Sequence, residues 1–220
     1  MNEMISDVEF LTSVKGAYQN GASAYAETWK QPHPWLAAER EEATKWIRPG
    51  MSLIDIGCGP GHDTKFWEDC GIHVLGIDAS SEMIALARTN YPELNFQVSD
   101  LMSLDENFPK PFDAAWLAYI VLHIPPALCL EALSKIGKLV RPGGTVFIAT
   151  TIGSRSQYKR GTIAGLKDAN GVDLETFTYE WSLPDWEKLV KAVHFSERWS
   201  RVFDFMNGKS TVRTAIYSIE

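Results

Sequence analysis

Residues 53–61 read LIDIGCGPG, a short apolar run that leads into three closely spaced glycines. The apolar part has the composition of a strand that is buried on both faces of a parallel sheet. Glycines after such a strand allow a tight turn and let a ligand approach the backbone closely. Because residues 63–70 are predicted to form a helix directly after the turn, the stretch indicates a ligand-binding strand–turn–helix unit.

Alternating apolar and amphipathic segments continue from this unit and predict an α/β fold. The candidate strands, each compact and mostly apolar, are residues 52–56, 73–77, 95–98, 112–118 and 145–149. Further helices are predicted at residues 82–90, 126–140 and 186–193, with Ser80 or Ser81 capping the first and Ser182 or Asp185 the last. The pattern is typical of a doubly wound, Rossmann-like sheet with mostly parallel strands.

The end of the chain predicts an antiparallel hairpin that completes a sheet of seven strands. Asn207 and Gly208, which both favour positive φ, lie between the β-rich runs at residues 199–205 and 211–219. A sheet that ends in an antiparallel hairpin differs from the sheet of a dinucleotide dehydrogenase domain, in which every strand including the last is parallel. The pattern therefore favours a different branch of the doubly wound folds.

Two segments lie outside this regular pattern. Residues 9–48 are predicted to be helical, with a break at residues 31–34, and they precede the first strand. Residues 151–180 read as a polar, glycine-containing insertion. A chain of 220 residues with 45% hydrophobic composition can bury one substantial core, so residues 1–220 are predicted to form a single domain.

Composition and charge exclude several classes of partner. The formal charge is −7 and the lysines and arginines are scattered, so no nucleic-acid partner is predicted. No stretch approaches the roughly 18–20 apolar residues of a membrane helix, and the N-terminus is acidic where a secretory signal is basic, so we expect a soluble, cytoplasmic protein without a membrane partner. Cys58, Cys70 and Cys129 are widely spaced, which favours reduced structural thiols and no metal site.

The glycine turn does not match the common phosphate-binding motifs. The dehydrogenase fingerprint needs a glycine where this chain has His62, and Gly208-Lys209-Ser210 has Phe203 where a Walker loop needs its earlier glycine. Asp55 is predicted to place a carboxylate at the mouth of the turn, where it would repel a pyrophosphate and attract an ammonium group.

Two further acids follow the next two strands. Asp78 ends the second strand, near the interval of about 20 residues at which an acid meets a ribose diol in nucleotide-binding units. The alternative role for Asp78 is to cap the helix that begins after Ser80. Asp100 follows the third strand and can accept a hydrogen bond from an exocyclic adenine amine.

Five runs in this order and spacing resemble the class I S-adenosylmethionine-dependent methyltransferases, and in particular their small bacterial branch. They are IDIGCGPG at residues 54–61, GIDASSEMIALAR at 76–88, QVSDLMSL at 97–104, FDAAWLAYIVLHIP at 112–125 and LVRPGGTVFIAT at 139–150. The resemblance extends from Tyr18 to the C-terminus and is loose in the insertion. It implies S-adenosylmethionine as cofactor, S-adenosylhomocysteine as product and a methyl acceptor as second substrate.

The resemblance also implies a role for individual residues. The methionine portion of the cofactor would contact Asp55, Gly57, Cys58, Gly59 and Gly61; the ribose Asp78; the adenine faces Ala79 and Met83; the adenine edge Asp100 and Leu101; and Leu117 and Ala118 would lie beside the cofactor. Met83 alone is also compatible with an ordinary core position. Relatives usually carry glycine where this chain has His194. A left-handed helix end would explain that glycine, and the histidine leaves the local geometry open.

The acceptor side of the site is less specific. His123, just after the fourth predicted strand, is the candidate general base, with a structural histidine as the alternative. In similar enzymes the N-terminal segment, residues 1–48 here, forms a lid, which would bring Tyr18 and Tyr25 to the cofactor or acceptor. Aromatic residues that could line the pocket, or belong to the core instead, are Trp29, Tyr119, Phe177, Tyr179 and Trp181.

Three functions remain open from the sequence. The first is methyl transfer by in-line displacement to a small molecule, for which the eight tryptophans suggest an aromatic or apolar acceptor as a hypothesis. The second is a peptide or protein methyltransferase that uses residues 151–180 for its substrate. The third is a non-catalytic module that binds S-adenosylmethionine. The acceptor and the oligomeric state are not encoded in a recognisable motif.

Overall fold

The computed structural model describes residues 5–30, 34–104, 108, 111–205 and 210–220. Its helices are α1 (Asp7–Thr28), α2 (Pro34–Ala43), α3 (His62–Asp69), α4 (Ser81–Asn90), α5 (Pro126–Leu139) and α6 (Leu183–Ala192). Its strands are β1 (Ser52–Ile56), β2 (His73–Asp78), β3 (Asn95–Val98), β4 (Phe112–Ala118), β5 (Val140–Gly153), β6 (Gln157–Lys167), β7 (Asp173–Ser182), β8 (Phe195–Phe205) and β9 (Ser210–Ile219).

The sheet has the doubly wound order that the sequence predicts. Strands β3, β2, β1, β4 and β5 lie side by side in this order and are parallel. Strand β9 pairs antiparallel with β5, and β8 pairs antiparallel with β9. The predicted Rossmann-like sheet with an antiparallel C-terminal pair is therefore confirmed, although Asn207 and Gly208 lie outside the described residues.

The predicted number of seven strands is wrong, because residues 151–180 contain two more. Strands β6 and β7 form an antiparallel hairpin, so the described part of the chain has nine strands. Strand β7 pairs in parallel with Ile152 and Gly153 of β5, while β9 pairs with β5 up to Ile152. Strand β4 pairs with one edge of β5 only up to Ala149, and β7 pairs with the same edge further along. The hairpin therefore extends beyond the carboxyl end of β4.

The helix ends follow the sequence signals. Ser80 caps α4 by accepting a hydrogen bond from the backbone N–H of Met83 at 3.2 Å, and Ser182 caps α6 in the same way through Asp185 at 3.3 Å. His194, just after α6, has a φ of 58°, the left-handed conformation that would explain the glycine of relatives at this position. The predicted N-terminal helical segment is divided into α1 and α2.

Aromatic side chains fill the core beneath the carboxyl ends of β1, β4 and β5. Trp116 of β4 is fully buried and stacks on Phe147 of β5, with ring centroids 3.7 Å apart. Trp67 of α3 meets Trp116 edge to face at 5.1 Å. Helix α1 lies outside this core and packs against β6, β7 and α4. The rigid sheet thus presents its carboxyl end to a cap that consists of α1 and the β6–β7 hairpin.

Candidate functional site

Two adjoining cavities occupy the carboxyl end of the parallel strands. The larger chamber has a volume of about 420 Å³ and the smaller chamber about 300 Å³. Residues that line both are Tyr18, Tyr25, Gly57, Gly59, Ala118, Tyr119 and His123. Because both chambers share this wall, they form one cleft in two parts, of a size typical of small-molecule sites.

The smaller chamber gathers the residues predicted to contact a nucleoside. Its lining includes Asp78, Ala79, Met83, Asp100 and Leu101. These residues come from the ends of β2 and β3 and from the first turn of α4. They lie together because parallel strands end at one edge of the sheet, as expected for a site at this position in the fold.

Asp78 braces the glycine turn as well as lining the chamber. One carboxylate oxygen accepts a hydrogen bond from the backbone N–H of Gly59 at 3.0 Å, and the other accepts from Ser80 at 2.8 Å. Burial raises the pKa of Asp78, and these two backbone bonds oppose the rise. Each oxygen has a second lone pair, so the carboxylate retains the capacity to bind two hydroxyl groups.

Asp100 and Met83 both line the smaller chamber. Asp100 caps a short 3-10 turn, where one of its oxygens accepts a hydrogen bond from the backbone N–H of Met102 at 2.9 Å. The Met83 side chain is 1% exposed and packs beneath the chamber. Helix α1 contributes Leu11 and Lys15 to the lining of this chamber.

The structure places Asp55 behind the glycine turn and not at its mouth, so its predicted contact with the cofactor stays a prediction. Its carboxylate is 1% exposed, lines neither chamber and accepts a hydrogen bond from the Thr64 hydroxyl at 2.6 Å. Burial and the neighbouring Asp63 raise the pKa of Asp55 to about 8. The side chain of Asp55 therefore ties β1 to α3 in surroundings that disfavour its charged form.

Two other predicted contacts also face away from the chambers. An added Cβ on Gly61 would lie 2.7 Å from the ring of Phe96, so this glycine allows close packing behind the turn. Leu117 is fully buried in the core and lines neither chamber. Gly57, Cys58 and Gly59, by contrast, line the larger chamber as expected.

The larger chamber is also lined by an ion pair between Arg40 and Asp63, which the sequence did not predict. The Arg40 Nε donates to Asp63 Oδ1 at 2.6 Å, and the Trp116 Nε1 donates to Asp63 Oδ2 at 2.9 Å. The two charged side chains are 7% and 15% exposed. Asp63 is an acid in the first turn of α3, which is a recognisable signal, but its contact with Arg40 of α2 is not encoded locally.

His123 pairs with Tyr18 in the wall between the chambers. The His123 Nε2 and the Tyr18 hydroxyl oxygen lie 2.9 Å apart. Burial lowers the pKa of His123 to about 4 and raises the pKa of Tyr18 well above its usual value. Both side chains are therefore neutral at physiological pH, and the imidazole is a weak base that already has a hydrogen-bond partner.

The β6–β7 hairpin covers the larger chamber. Thr162 of β6 and Thr176 and Thr178 of β7 line it, and the Trp29 Nε1 donates to the carbonyl of Ala164 at 3.0 Å, which joins α1 to the hairpin. Of the aromatic candidates, Tyr25, Trp29 and Tyr119 line this chamber. Phe177, Tyr179 and Trp181 instead belong to aromatic packing around the cleft.

Comparisons with known proteins agree with this arrangement. Residues 53–144 match the methyltransferase domain family. A malonyl-[acyl-carrier protein] O-methyltransferase from Pectobacterium atrosepticum is 30% identical over 115 residues, which are 52% of this chain and 44% of that protein. A ubiquinone biosynthesis O-methyltransferase from Aeromonas salmonicida is 36% identical over 106 residues, 46% of this chain and 43% of that protein.

A solved structure resembles the fold over the whole chain. The 1,6-didemethyltoxoflavin-N1-methyltransferase of Burkholderia thailandensis, with bound 1,6-didemethyltoxoflavin and S-adenosylhomocysteine, has a TM-score of 0.76 at 18% identity and covers 100% of this chain and 92% of that one. This likeness establishes the fold. The chain spans about half the length of the curated relatives it matches.

Within the described ranges, no helix has the length and apolar character to span a membrane. Within the same ranges, no three histidine, cysteine, aspartate or glutamate side chains are grouped as metal ligands.

Proposed function

We propose that this chain, whose residues 53–144 match the methyltransferase domain family, is a class I methyltransferase that binds S-adenosylmethionine and transfers its methyl group to a small-molecule acceptor. The observation that carries the proposal is the divided cleft. One chamber holds Asp78 and Asp100 at the ends of adjacent strands, and it shares a wall that includes Gly57 and Gly59 with a second chamber. The first chamber suits a nucleoside, and the second suits an acceptor.

The residues of the smaller chamber fit the adenosine portion of the cofactor. The carboxylate of Asp78 would bind the ribose hydroxyls, and Asp100 the exocyclic amine of adenine. Ala79, Met83 and Leu101 would contact the apolar faces of the base. An added Cβ on Gly59 meets no atom within 4 Å, so the absence of a side chain there leaves open space beside the turn for the ligand.

The Arg40–Asp63 pair fits the amino-acid end of the cofactor better than Asp55 does. That end carries one ammonium and one carboxylate group, and the pair offers one charge of each sign beside Gly57 and Cys58 in the larger chamber. A partly buried ion pair interacts more strongly with a zwitterion than an exposed pair would, because solvent screens it less.

Alignment is the main task of the protein in this reaction. S-adenosylmethionine, when bound, supplies a methyl group that its sulfonium already activates. The chain's residues hold the acceptor in line and exclude water, which supplies rate through proximity. Tyr18, Tyr119 and His123 lie where the two chambers meet, so they would border the path of the methyl group. His123 would position the Tyr18 hydroxyl rather than act as a free base.

The proposal also assigns roles to the segments that cover the cleft and a cellular location to the protein. Residues 1–48 would serve as the lid and residues 151–180 as the acceptor-side element, because α1 and the β6–β7 hairpin pack together over the cleft. The acceptors named for the Pectobacterium, Aeromonas and Burkholderia proteins support a small molecule or a small group on a carrier. All three cysteines are free thiols, which is compatible with action in the reducing cytoplasm.

Ligand-dependent thermal unfolding tests the proposal. S-adenosylmethionine and S-adenosylhomocysteine at about 100 times their dissociation constants should each stabilise the protein by about 2.7 kcal/mol, whereas NAD should have no effect. Transfer of radiolabelled methyl groups to pooled metabolites, compared with transfer to protein, then separates a small-molecule enzyme from a protein methyltransferase. Stabilisation by NAD instead, or binding without any transfer, would contradict the proposal.

Replacing Asp63 with asparagine should weaken the binding of S-adenosylhomocysteine about tenfold, because one charge-assisted interaction of about 1.4 kcal/mol is lost. Binding of 5′-methylthioadenosine, which lacks the amino-acid end, should not change. Isothermal titration calorimetry with both ligands measures the difference. The matched control is Asp69→Asn on the same helix, whose exposed pair with Lys65 lies outside the cleft. An equal loss for both ligands would instead indicate a structural role for Asp63.

Acidification should destabilise the folded protein through His123. The pKa is about 4 in the folded protein and about 6.5 in the unfolded chain, so the unfolded chain takes up the proton first. The stability that neutral His123 contributes is complete above about pH 6.5 and is lost progressively toward pH 4, in total about 3 kcal/mol.

Urea unfolding of the wild type and of His123→Gln, at about pH 7 and about pH 5, measures this contribution. The wild type should lose about 2 kcal/mol more than the variant on acidification. Comparing the two proteins removes the opposite contribution of Asp55, whose raised pKa favours the folded state at lower pH. Equal losses in both proteins would show that His123 titrates normally.

A further inference from the structure

We propose that the larger chamber selects an uncharged aromatic acceptor, and that the β6–β7 hairpin provides the selecting residues. This inference rests on the proposed function, because it assigns the adenosine to the smaller chamber and the acceptor to the larger one. Three independent features of the larger chamber support it: the pairing of its cations, the apolar character of its walls and a buried hydroxyl group without a partner.

The described cations of the larger chamber are each paired within the protein. Lys159 contacts Glu180 at 2.5 Å and Arg160 contacts Glu175 at 3.0 Å, and these two cations, 43% and 66% exposed, lie at the solvent-facing rim. The interior has only Arg40, which Asp63 neutralises. A carboxylate or phosphate that entered the interior would lose its hydration without gaining an unpaired cation among the described lining residues.

Apolar and aromatic side chains form a continuous part of the lining beside its polar residues. Leu36, Leu122 and Ile163 contribute aliphatic surface, and Tyr25 and Trp29 contribute rings. The Trp29 ring is held in place by its hydrogen bond to Ala164, and its centroid lies 6.2 Å from that of Tyr25. Rigid rings next to aliphatic surface favour a flat apolar ligand, because aromatic contacts add to the gain from burying its surface.

The Thr176 hydroxyl offers a specific polar contact in this wall. Thr176 is 1% exposed, lines the chamber, and has no hydrogen-bond partner for its hydroxyl oxygen in the part of the chain that the structure describes. Thr178, two residues later on β7, lines the same chamber, as strand alternation requires. A buried hydroxyl without a partner is unfavourable, and a ligand hydroxyl or ring nitrogen would satisfy it.

Matched probes test the charge preference. In isothermal titration calorimetry of the protein saturated with S-adenosylhomocysteine, we expect 2-naphthol to bind at least about tenfold more tightly than 6-hydroxy-2-naphthoic acid, because the added carboxylate has no free cation to meet. Equal or tighter binding of the acid would overturn the proposal, as would a failure of 2-naphthol to bind at about 1 mM.

Variants at Thr176 test the role of the hairpin. Thr176→Val keeps the shape of the side chain and should weaken the binding of 2-naphthol about fivefold, the effect of one hydrogen bond. Thr176→Ser should restore most of that affinity, and neither variant should change the binding of S-adenosylhomocysteine or lower the thermal stability. Unchanged 2-naphthol affinity in Thr176→Val would remove the hairpin from acceptor selection.

The experiment separates this inference from the proposed function. If S-adenosylhomocysteine binds and 2-naphthol does not, only the acceptor class is wrong. If S-adenosylhomocysteine itself does not bind the wild-type protein, both proposals fail together.

Discussion

Replacing Asp78 with alanine should weaken the binding of S-adenosylhomocysteine by about 100-fold or more, since two charge-assisted hydrogen bonds to the ribose together contribute about 3 kcal/mol. The same carboxylate accepts hydrogen bonds from the backbone N–H groups of Gly59 and Ser80, so its removal also loosens the glycine turn. Isothermal titration calorimetry of the variant against the wild type measures the loss.

Two comparisons separate ribose recognition from general damage. Asp100→Ala should weaken binding only about tenfold, because Asp100 would make a single bond to the adenine amine. Asp78→Ala should weaken the binding of 5′-methylthioadenosine as strongly as that of S-adenosylhomocysteine, since both ligands contain the ribose. Asp63→Asn should weaken only the binding of S-adenosylhomocysteine. A variant of Asp78 that folds normally and binds both ligands like the wild type would contradict the assigned role.

Replacing Trp116 with alanine should lower the free energy of unfolding by about 4 kcal/mol, which is typical for removing a large aromatic side chain from a packed core. Trp116 is fully buried, stacks on Phe147 at 3.7 Å and contacts Trp67 edge to face. Denaturant unfolding monitored by circular dichroism measures the change.

Trp116→Phe is the matched variant, because it keeps an aromatic ring but removes the indole N–H that holds Asp63. It should lose less stability than Trp116→Ala, yet it should weaken the binding of S-adenosylhomocysteine about threefold through the freed carboxylate. If both variants retained wild-type stability, the packing of β4 against β5 would not depend on this residue.

The parallel sheet and the smaller chamber could be predicted because their signals are local. Compact apolar runs mark β1 to β4 almost to the residue, and Ser80 and Ser182 mark the starts of two helices. Asp78 and Asp100 each follow a strand directly. Strand ends on one edge of a parallel sheet converge, so their positions along the chain were sufficient to place them together.

Asp55 and the Arg40–Asp63 pair show where local reasoning ends. The motif places an acid before the glycines, but the strand is buried along Leu53–Ile56, and the Asp55 side chain meets Thr64 of the following helix. The charged pair that does line the cleft joins α2 to α3 across an interval of sequence without a recognisable spacing. Only the packing of these helices reveals which acid faces the cavity.

The β6–β7 hairpin escaped prediction for a different reason. Residues 176–181 do alternate, with Phe177, Tyr179 and Trp181 between Thr176, Thr178 and Glu180, which is a local signal for β7. Strand β6 has no comparable alternation, so only one strand of the hairpin carries a local signal. The place of the hairpin is fixed by long-range contacts with α1 and with the end of β5, which a single sequence does not encode.

A crystal structure of the protein with S-adenosylhomocysteine tests the central claim most directly. We expect the ribose hydroxyls within hydrogen-bond distance of the Asp78 carboxylate and the adenine between Met83 and Leu101. The amino-acid end should lie beside Arg40 and Asp63 at the inner end of the larger chamber, with the rest of that chamber left for the acceptor. A nucleoside in the larger chamber, or a ligand that does not contact Asp78, would contradict the account.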